Sequence, residues 1–212
     1  MNALKNIILR PIEKQDLPAI RKIITEEWYK QSAKDFPKAT DAYVHFDVNS
    51  CLMKSNFGQV AVHDDEVVGV ILGRDNNNSY RLNELVNDPH DHLLTLLKAP
   101  REATKPLVSY LEVESKAYGA LFEKASMNYD GEVVLFITKI AARGHGVGSK
   151  LFHSLLNHFD NVGVDSFYLY TDESCHISFY HHKGLHQRGV EATDLGGKEP
   201  FHFYLFDSVK DR

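Results

Sequence analysis

Cysteine is scarce in this chain. Only Cys51 and Cys175 occur in 212 residues, far apart. A fold stapled by several disulfides is excluded, and two isolated thiols suit a reducing compartment, so a cytoplasmic protein is expected. Long apolar runs are missing as well. Nowhere do about eighteen apolar residues follow one another, and the apolar stretch within residues 1–10 is too short for the core of a signal peptide, so no membrane association is expected. Basic residues are the minority, 24 Lys and Arg against 29 Asp and Glu, with no basic cluster, which argues against nucleic acid as a partner. Histidine is abundant, yet His90-x-His92 and His181-His182 lack the accompanying cysteines or the helical HExxH spacing of a metal site, so no metal is expected. Internal repeats are absent, and low complexity is confined to Asn76, Asn77 and Asn78.

What remains is an ordinary globular composition, long enough for one full core, with 43% hydrophobic and 25% charged residues. A single domain over residues 1–212 is expected. Residues 7–10 form an apolar run closed by Pro11, and after Asp16 the residues Leu17, Ile20, Ile23, Ile24 and Trp28 recur at helical spacing. Residues 40–53 carry Tyr43, Val44, Phe46 and Val48 and read as a second helical region. Residues 59–63 and 66–74, rich in Val and Ile, flank Asp64-Asp65 as a hairpin. From residue 76 to about 130 the composition changes: helical periodicity over 82–97 and 106–125, broken by Pro100 and Pro106, gives a helical insertion longer than an ordinary connection. A strand over 132–140, a helix over 149–159, a strand over 165–171, a short helix over 175–182 stopped by Gly184, and two strands over 186–190 and 201–206 complete the chain.

Between that strand and that helix lies Arg143-Gly144-His145-Gly146-Val147-Gly148, followed by Ser149. At a helix N-terminus several N–H groups lack carbonyl partners and the macrodipole is positive, so main-chain donors alone can hold a phosphate. Glycines let the anion approach those donors, and no acid occurs between Ala141 and Ser149. Arg143 adds a guanidinium that can offer two donors. The loop reads as a pyrophosphate cradle, or else as a glycine turn that merely packs a helix on a strand. A nucleotidase phosphate loop would need Lys directly after the last glycine, whereas Gly148-Ser149-Lys150 reverses that order. A dinucleotide fingerprint is the closer rival, with Asp172 ending the next strand, but too few βα units follow it to build that fold.

The order of elements, together with the motif, resembles the GNAT superfamily of acyl-CoA N-acyltransferases over nearly all of the chain except the insertion. Arg143, Gly146 and Gly148 match the family's acyl-CoA motif Q/R-x-x-G-x-G/A. Residues 170–185, with Phe179, Tyr180, Gly184 and Leu185, look like the family's helix that ends F-Y-x-x-x-G-F. The resemblance implies an α/β (α+β) fold: a mixed, mostly antiparallel sheet of six to seven strands flanked by helices. It implies acetyl-CoA as cosubstrate, its pyrophosphate on the amides from Arg143 through Gly144, His145, Gly146, Val147 and Gly148 to Ser149. The pantetheine would lie along the strand edge at Ile137 and Thr138. Tyr180 would be the acid that protonates the leaving sulfur, and Glu132 a general base, with Glu112, Glu114 and a water relay to His176 as competitors. Where the family often has an Asn before the short helix, this chain has Glu173 and Ser174; Ser174 or Ser178 would substitute in the pantetheine contact. Phe36, Tyr43 and Tyr110 are candidates for the acceptor pocket or for the core.

The activity so implied is acetyl transfer to a primary amine, on a small molecule or a protein, by direct attack in a ternary complex. Its alternatives are a non-catalytic acyl-CoA-binding module and a dinucleotide oxidoreductase. The insertion would cover the acceptor site or build a homodimer interface.

Overall fold

The computed structural model describes residues 6–79, 82–86 and 90–209. Seven strands form one sheet: β1 (Ile8–Pro11), β2 (Phe57–His63), β3 (Glu66–Asp75), β4 (Gly131–Thr138), β5 (Phe167–Asp172), β6 (His186–Thr193) and β7 (Phe201–Asp207), in the order β1-β2-β3-β4-β5-β7-β6. Every neighbouring pair is antiparallel except β4 and β5. The helices are α1 (Leu17–Trp28), α2 (Lys30–Asp35), α3 (Pro37–Lys54), α4 (His90–Lys98), α5 (Arg101–Ala125), α6 (Val147–Val162) and α7 (Ile177–His182).

Apolar spacing dictates which faces are covered. On α6, Val147, Leu151, Phe152, Leu155 and Phe159 form one buried stripe that packs with Ala61, Ile71, Val133 and Phe167 of the sheet. On the opposite face, Ile20, Ile23 and Ile24 of α1 and Val44, Val48 and Leu52 of α3 cover β2, β3 and β4 through Val60, Val70, Leu135 and Ile137. That cover stops at the middle of the sheet. The remaining half of the same face, β5 and β7, is covered by Ala117 and Leu121 of α5, packed with Tyr168, Phe203 and Leu205.

The insertion therefore builds half of one layer. It differs from the helical spans read in the sequence. Residues 82–97 are not one helix: a 3-10 turn at Leu82–Leu85 precedes α4, and residues 80–81 and 87–89 lie outside the described residues. The last helix begins at Arg101 rather than Pro106 and runs through that proline. Pro106 forgoes only the bond to Glu102, one turn from the helix start, which is why this proline fails to act as a boundary. Residues 40–53 are helical as expected, within α3, while α2 has no counterpart in the sequence reading.

Candidate active site

β4 and β5 pair only through Gly131↔Phe167, Glu132↔Tyr168 and Val133↔Leu169. Past Leu169, β5 is held by β7, and past Val133, β4 is held by β3, so the two parallel strands diverge toward their C-terminal ends. A V-shaped gap opens there in the middle of the sheet. Ile137 and Thr138 pair with Val70 and Gly69 on one side, leaving their other backbone edge turned to the gap.

The glycine loop sits at the mouth of this gap. A 3-10 turn at Ile140–Ala142 leads into it, and Gly144 and Gly146 have φ of 78° and 81°, the left-handed region in which a side chain is strained. Gly146 is the N-cap of α6 and supplies no side-chain cap, so the N–H groups of Val147, Gly148 and Ser149 have neither a carbonyl nor a capping partner, whereas Lys150 N–H already reaches Gly146 O. A Cβ on Gly146 would meet nothing within 4 Å and would project into the open space over those donors. The local chemistry fits an anion.

A cavity of about 640 Å3 links loop and gap. Its wall includes Ile137, Thr138, Arg143, Gly144, Gly146, Val147, Gly148, Ser149, Ser174, Ser178 and Tyr180, the residues the sequence pointed to, but not the half-buried His145. It also includes Glu27, Trp28, Cys175 and His176. Glu27 was not legible from sequence: it sits at the end of α1, yet accepts hydrogen bonds from Ile140 N–H at 2.9 Å and from the Arg143 guanidinium at 3.1 Å, tying α1 to the loop. Tyr180 is buried on the α6 face of the gap, with Thr171 and Cys175 near its hydroxyl. Burial pushes the Tyr180 phenol and the Cys175 thiol upward, so both remain protonated at neutral pH. The Ser174 hydroxyl bonds to Asp172.

The structure separates the carboxylates proposed as bases. Glu132 is half-buried and committed to an ion pair with Arg74 at 2.8 Å, its cross-strand partner. Glu112 is exposed on the outer side of α5. Glu114, one turn along from Tyr110, is half-buried and has its carboxyl pushed up to about 7 by burial and by the nearby Asp47 charge. Of the aromatic candidates, Tyr43 and Tyr110 lie on this inner side; Tyr110 donates to Asp172 at 3.2 Å. Phe36 does not: it lines a separate groove with Pro100 and Ala103.

Asp41, His45 and His92 bring candidate ligand atoms within 4.8 Å of one another. The His45 and His92 rings are stacked, with centroids 3.7 Å apart and planes 18° apart, so their in-plane lone pairs run side by side rather than toward a shared ion.

A central parallel pair that splays over a glycine loop at a helix N-terminus, inside an otherwise antiparallel sheet, defines the class: this is the GNAT acetyltransferase fold. Solved structures agree. The ribosomal-protein-S18-alanine N-acetyltransferase of Escherichia coli superposes with a TM-score of 0.56 at 10% identity, covering 95% of this chain and 92% of its own. A GNAT-family acetyltransferase from Streptococcus pneumoniae gives 0.51 at 8% identity, over 96% and 98% of the two chains. The PaiA N-acetyltransferase of Thermoplasma acidophilum, solved with coenzyme A, gives 0.50 at 14% identity, over 94% and 98%. No protein-family model matches the chain, and no curated protein matches it in sequence.

Proposed function

We propose that the protein is an N-acetyltransferase that moves an acetyl group from acetyl-CoA to a primary amine by direct attack within a ternary complex. The observation that carries this reading is the single cavity joining uncapped α6 amides, the free β4 edge and the Tyr180 hydroxyl. The pyrophosphate rests on the amides of residues 143–149, and Arg143, paired with Glu27 through one nitrogen, offers its remaining guanidinium N–H groups at the rim. The pantetheine extends along Ile137 and Thr138, which brings the thioester to Tyr180.

The acceptor enters from the other face, through the gap between β4 and β5. Its ammonium must first lose a proton. Glu114 takes this proton, because a carboxyl near 7 is matched to neutral pH, while Glu132 is occupied by Arg74. The nitrogen then forms the new C–N bond, the C–S bond breaks, and the nitrogen's second proton neutralises the departing sulfur. With its phenol raised above the usual ~10, Tyr180 stabilises the sulfur as a hydrogen-bond donor and does not end as a phenolate. The Cys175 thiol, also raised, is no nucleophile, which favours direct transfer over an acetyl-enzyme.

Titration calorimetry with acetyl-CoA, CoA and NAD, followed by free-thiol release with a panel of amines, tests the reading. Acetyl-CoA and CoA are expected to bind and NAD not, with thiol release that depends on the amine. Binding without amine-dependent release would leave a non-catalytic acyl-CoA module, and NAD binding alone would replace the reading with an oxidoreductase.

A further inference from the structure

The insertion contains one helix that the sheet does not use. α5 packs on β5 and β7, whereas α4 packs on α3, and none of the nine residues of α4 is buried. Its apolar side faces outward. With 3.6 residues to the turn, Leu93, Leu94 and Leu97 share one side of the helix, and His92, Thr95 and Leu96 share the other. The side turned to the protein is the more polar: His92 stacks on His45 of α3, Thr95 lines the groove beside Phe36, and Leu96 is half-buried. The three outward leucines are 50%, 49% and 73% exposed. An ordinary surface helix has the reverse arrangement, and a helix shorter than about 12 residues takes most of its stability from burying its apolar side.

Single exposed leucines are common, but three adjacent ones on one helix side mark a surface that something covers. Exposed Phe46 and Met53 on α3, the helix that carries α4, extend the apolar surface. The charges beside the leucines indicate the cover. Asp91 and Lys98 lie seven residues apart, so they share one flank of the leucine side about 10 Å apart along the axis. Both are exposed, and among the described residues neither has an ion-pair partner. An acid before the leucines and a base after them, on one flank, complement an antiparallel copy of the same helix. A two-fold axis beside Leu94 sets Asp91 of each copy against Lys98 of the other, because such an interface pairs i with j and j with i. The same axis packs Leu94 on Leu94 of the second copy, with Leu97 beside them, and lays the helix dipoles head to tail. An anionic lipid surface would instead favour a flank that is basic throughout.

We propose that the protein pairs with a second copy of itself through α4, the two helices antiparallel about a two-fold axis at Leu94. The two long helices of the insertion then have separate duties: α5 covers half of a sheet face, and α4 makes the interface. No residue of α4 lines the cavity at the glycine loop, so the pairing stands whether or not the acetyltransferase reading does. One short helix a side is a small interface, and a dissociation constant of about 1–100 μM is expected.

Sedimentation velocity of the full chain over about 1–300 μM, a range that brackets that constant, is expected to move from the 24.1 kDa of one copy toward twice that mass. Leu94→Glu should raise the dissociation constant about thirtyfold or more, because two carboxylates would face each other at the axis, while the circular dichroism spectrum stays native. Asp91→Lys and Lys98→Asp should each weaken pairing about tenfold, since each sets like charges opposite one another. Mixing those two variants is the decisive arm. In the mixed pair every charge meets its opposite, so association should return to within about threefold of the parent, whereas any fraying of α4 is the same in the mixed and separate samples. A chain that stays monomeric throughout overturns the inference, as does a dimer indifferent to Leu94→Glu or a mixture no tighter than its components. A monomer that sediments with phosphatidylglycerol vesicles, and loses this with Leu94→Glu, overturns it in favour of a membrane surface.

Discussion

Single atoms decide much of this site. Tyr180 has one polar atom, buried beside Thr171 and Cys175 at the point where the thioester would stand. Tyr180→Phe keeps the ring and its packing on Phe206 and removes only the hydroxyl. It is expected to lower kcat about a hundredfold with the acetyl-CoA dissociation constant unchanged, read by steady-state kinetics beside calorimetry. An unchanged kcat would show that the sulfur leaves without help from this residue. Gly146 acts through what it lacks. With φ at 81° and open space above its missing Cβ, Gly146→Glu adds strain and places a carboxylate where the pyrophosphate would sit. Loss of acetyl-CoA binding heat is expected while the far-ultraviolet circular dichroism spectrum stays native; retained affinity would mean that the cradle lies elsewhere.

Elements fix these atoms by how closely they approach one another. α6 carries the cradle at its first turn, and its position is set by contact with β3. At Gly73 a Cβ would meet Leu155 Cδ1 at 2.4 Å and Leu155 Cδ2 at 3.2 Å. The strand must therefore show bare backbone for the helix to sit this low. Gly73→Ala is expected to destabilise the fold by about 1–3 kcal/mol through overpacking, seen as a lower midpoint in urea with unchanged slope. A neutral result would mean that Leu155 swings aside without displacing α6. The elements also show where sequence patterns were sufficient. The 3.6-residue period of α6, the Val- and Ile-rich runs of β2 and β3, and the glycine loop between strand and helix could be read directly, because each depends on residues close in sequence. Pro106 departs from its local pattern because a proline one turn into a helix costs little when the rest of that helix buries Ala117 and Leu121 on the sheet.

At the scale of the molecule, charge buried on one face should shape the response to pH. Asp47 is raised to about 6 and Glu114 to about 7, both foremost by burial. A carboxyl raised in the folded state holds its proton more tightly there than in the unfolded chain. Its contribution to stability is present below the ordinary carboxylate range and is lost as pH rises through about 6 to 7. His45, lowered to about 4 by burial and by Arg21, acts in the opposite sense: unfolding takes up a proton at pH values between about 4 and its ordinary 6.5, so that contribution is lost as pH falls. The two effects overlap in the wild type, so a comparison is required. Tm is measured between pH 5 and pH 8, an interval of about three units that spans these titrations, for the protein and for the Asp47→Asn, Glu114→Gln double variant. The wild type should lose Tm relative to the variant as pH rises. Parallel curves would mean that both carboxylates are already matched by solvent.

The sequence by itself determined the local devices: the amphipathic helices, the Val- and Ile-rich strands, the cradle at residues 143–149 and the tyrosine in the short helix after β5. These follow from backbone propensities, periodicity and the donor surplus at a helix start, all of which act over a few residues. Packing alone makes Glu27 reach across to Arg143, pairs Glu132 with Arg74, and brings Asp47 near enough for Glu114 to feel its charge. Those relations join residues far apart in the chain, set by which helix covers which half of the sheet. No local pattern of residues carries that information, because burial and charge proximity are properties of the packed whole.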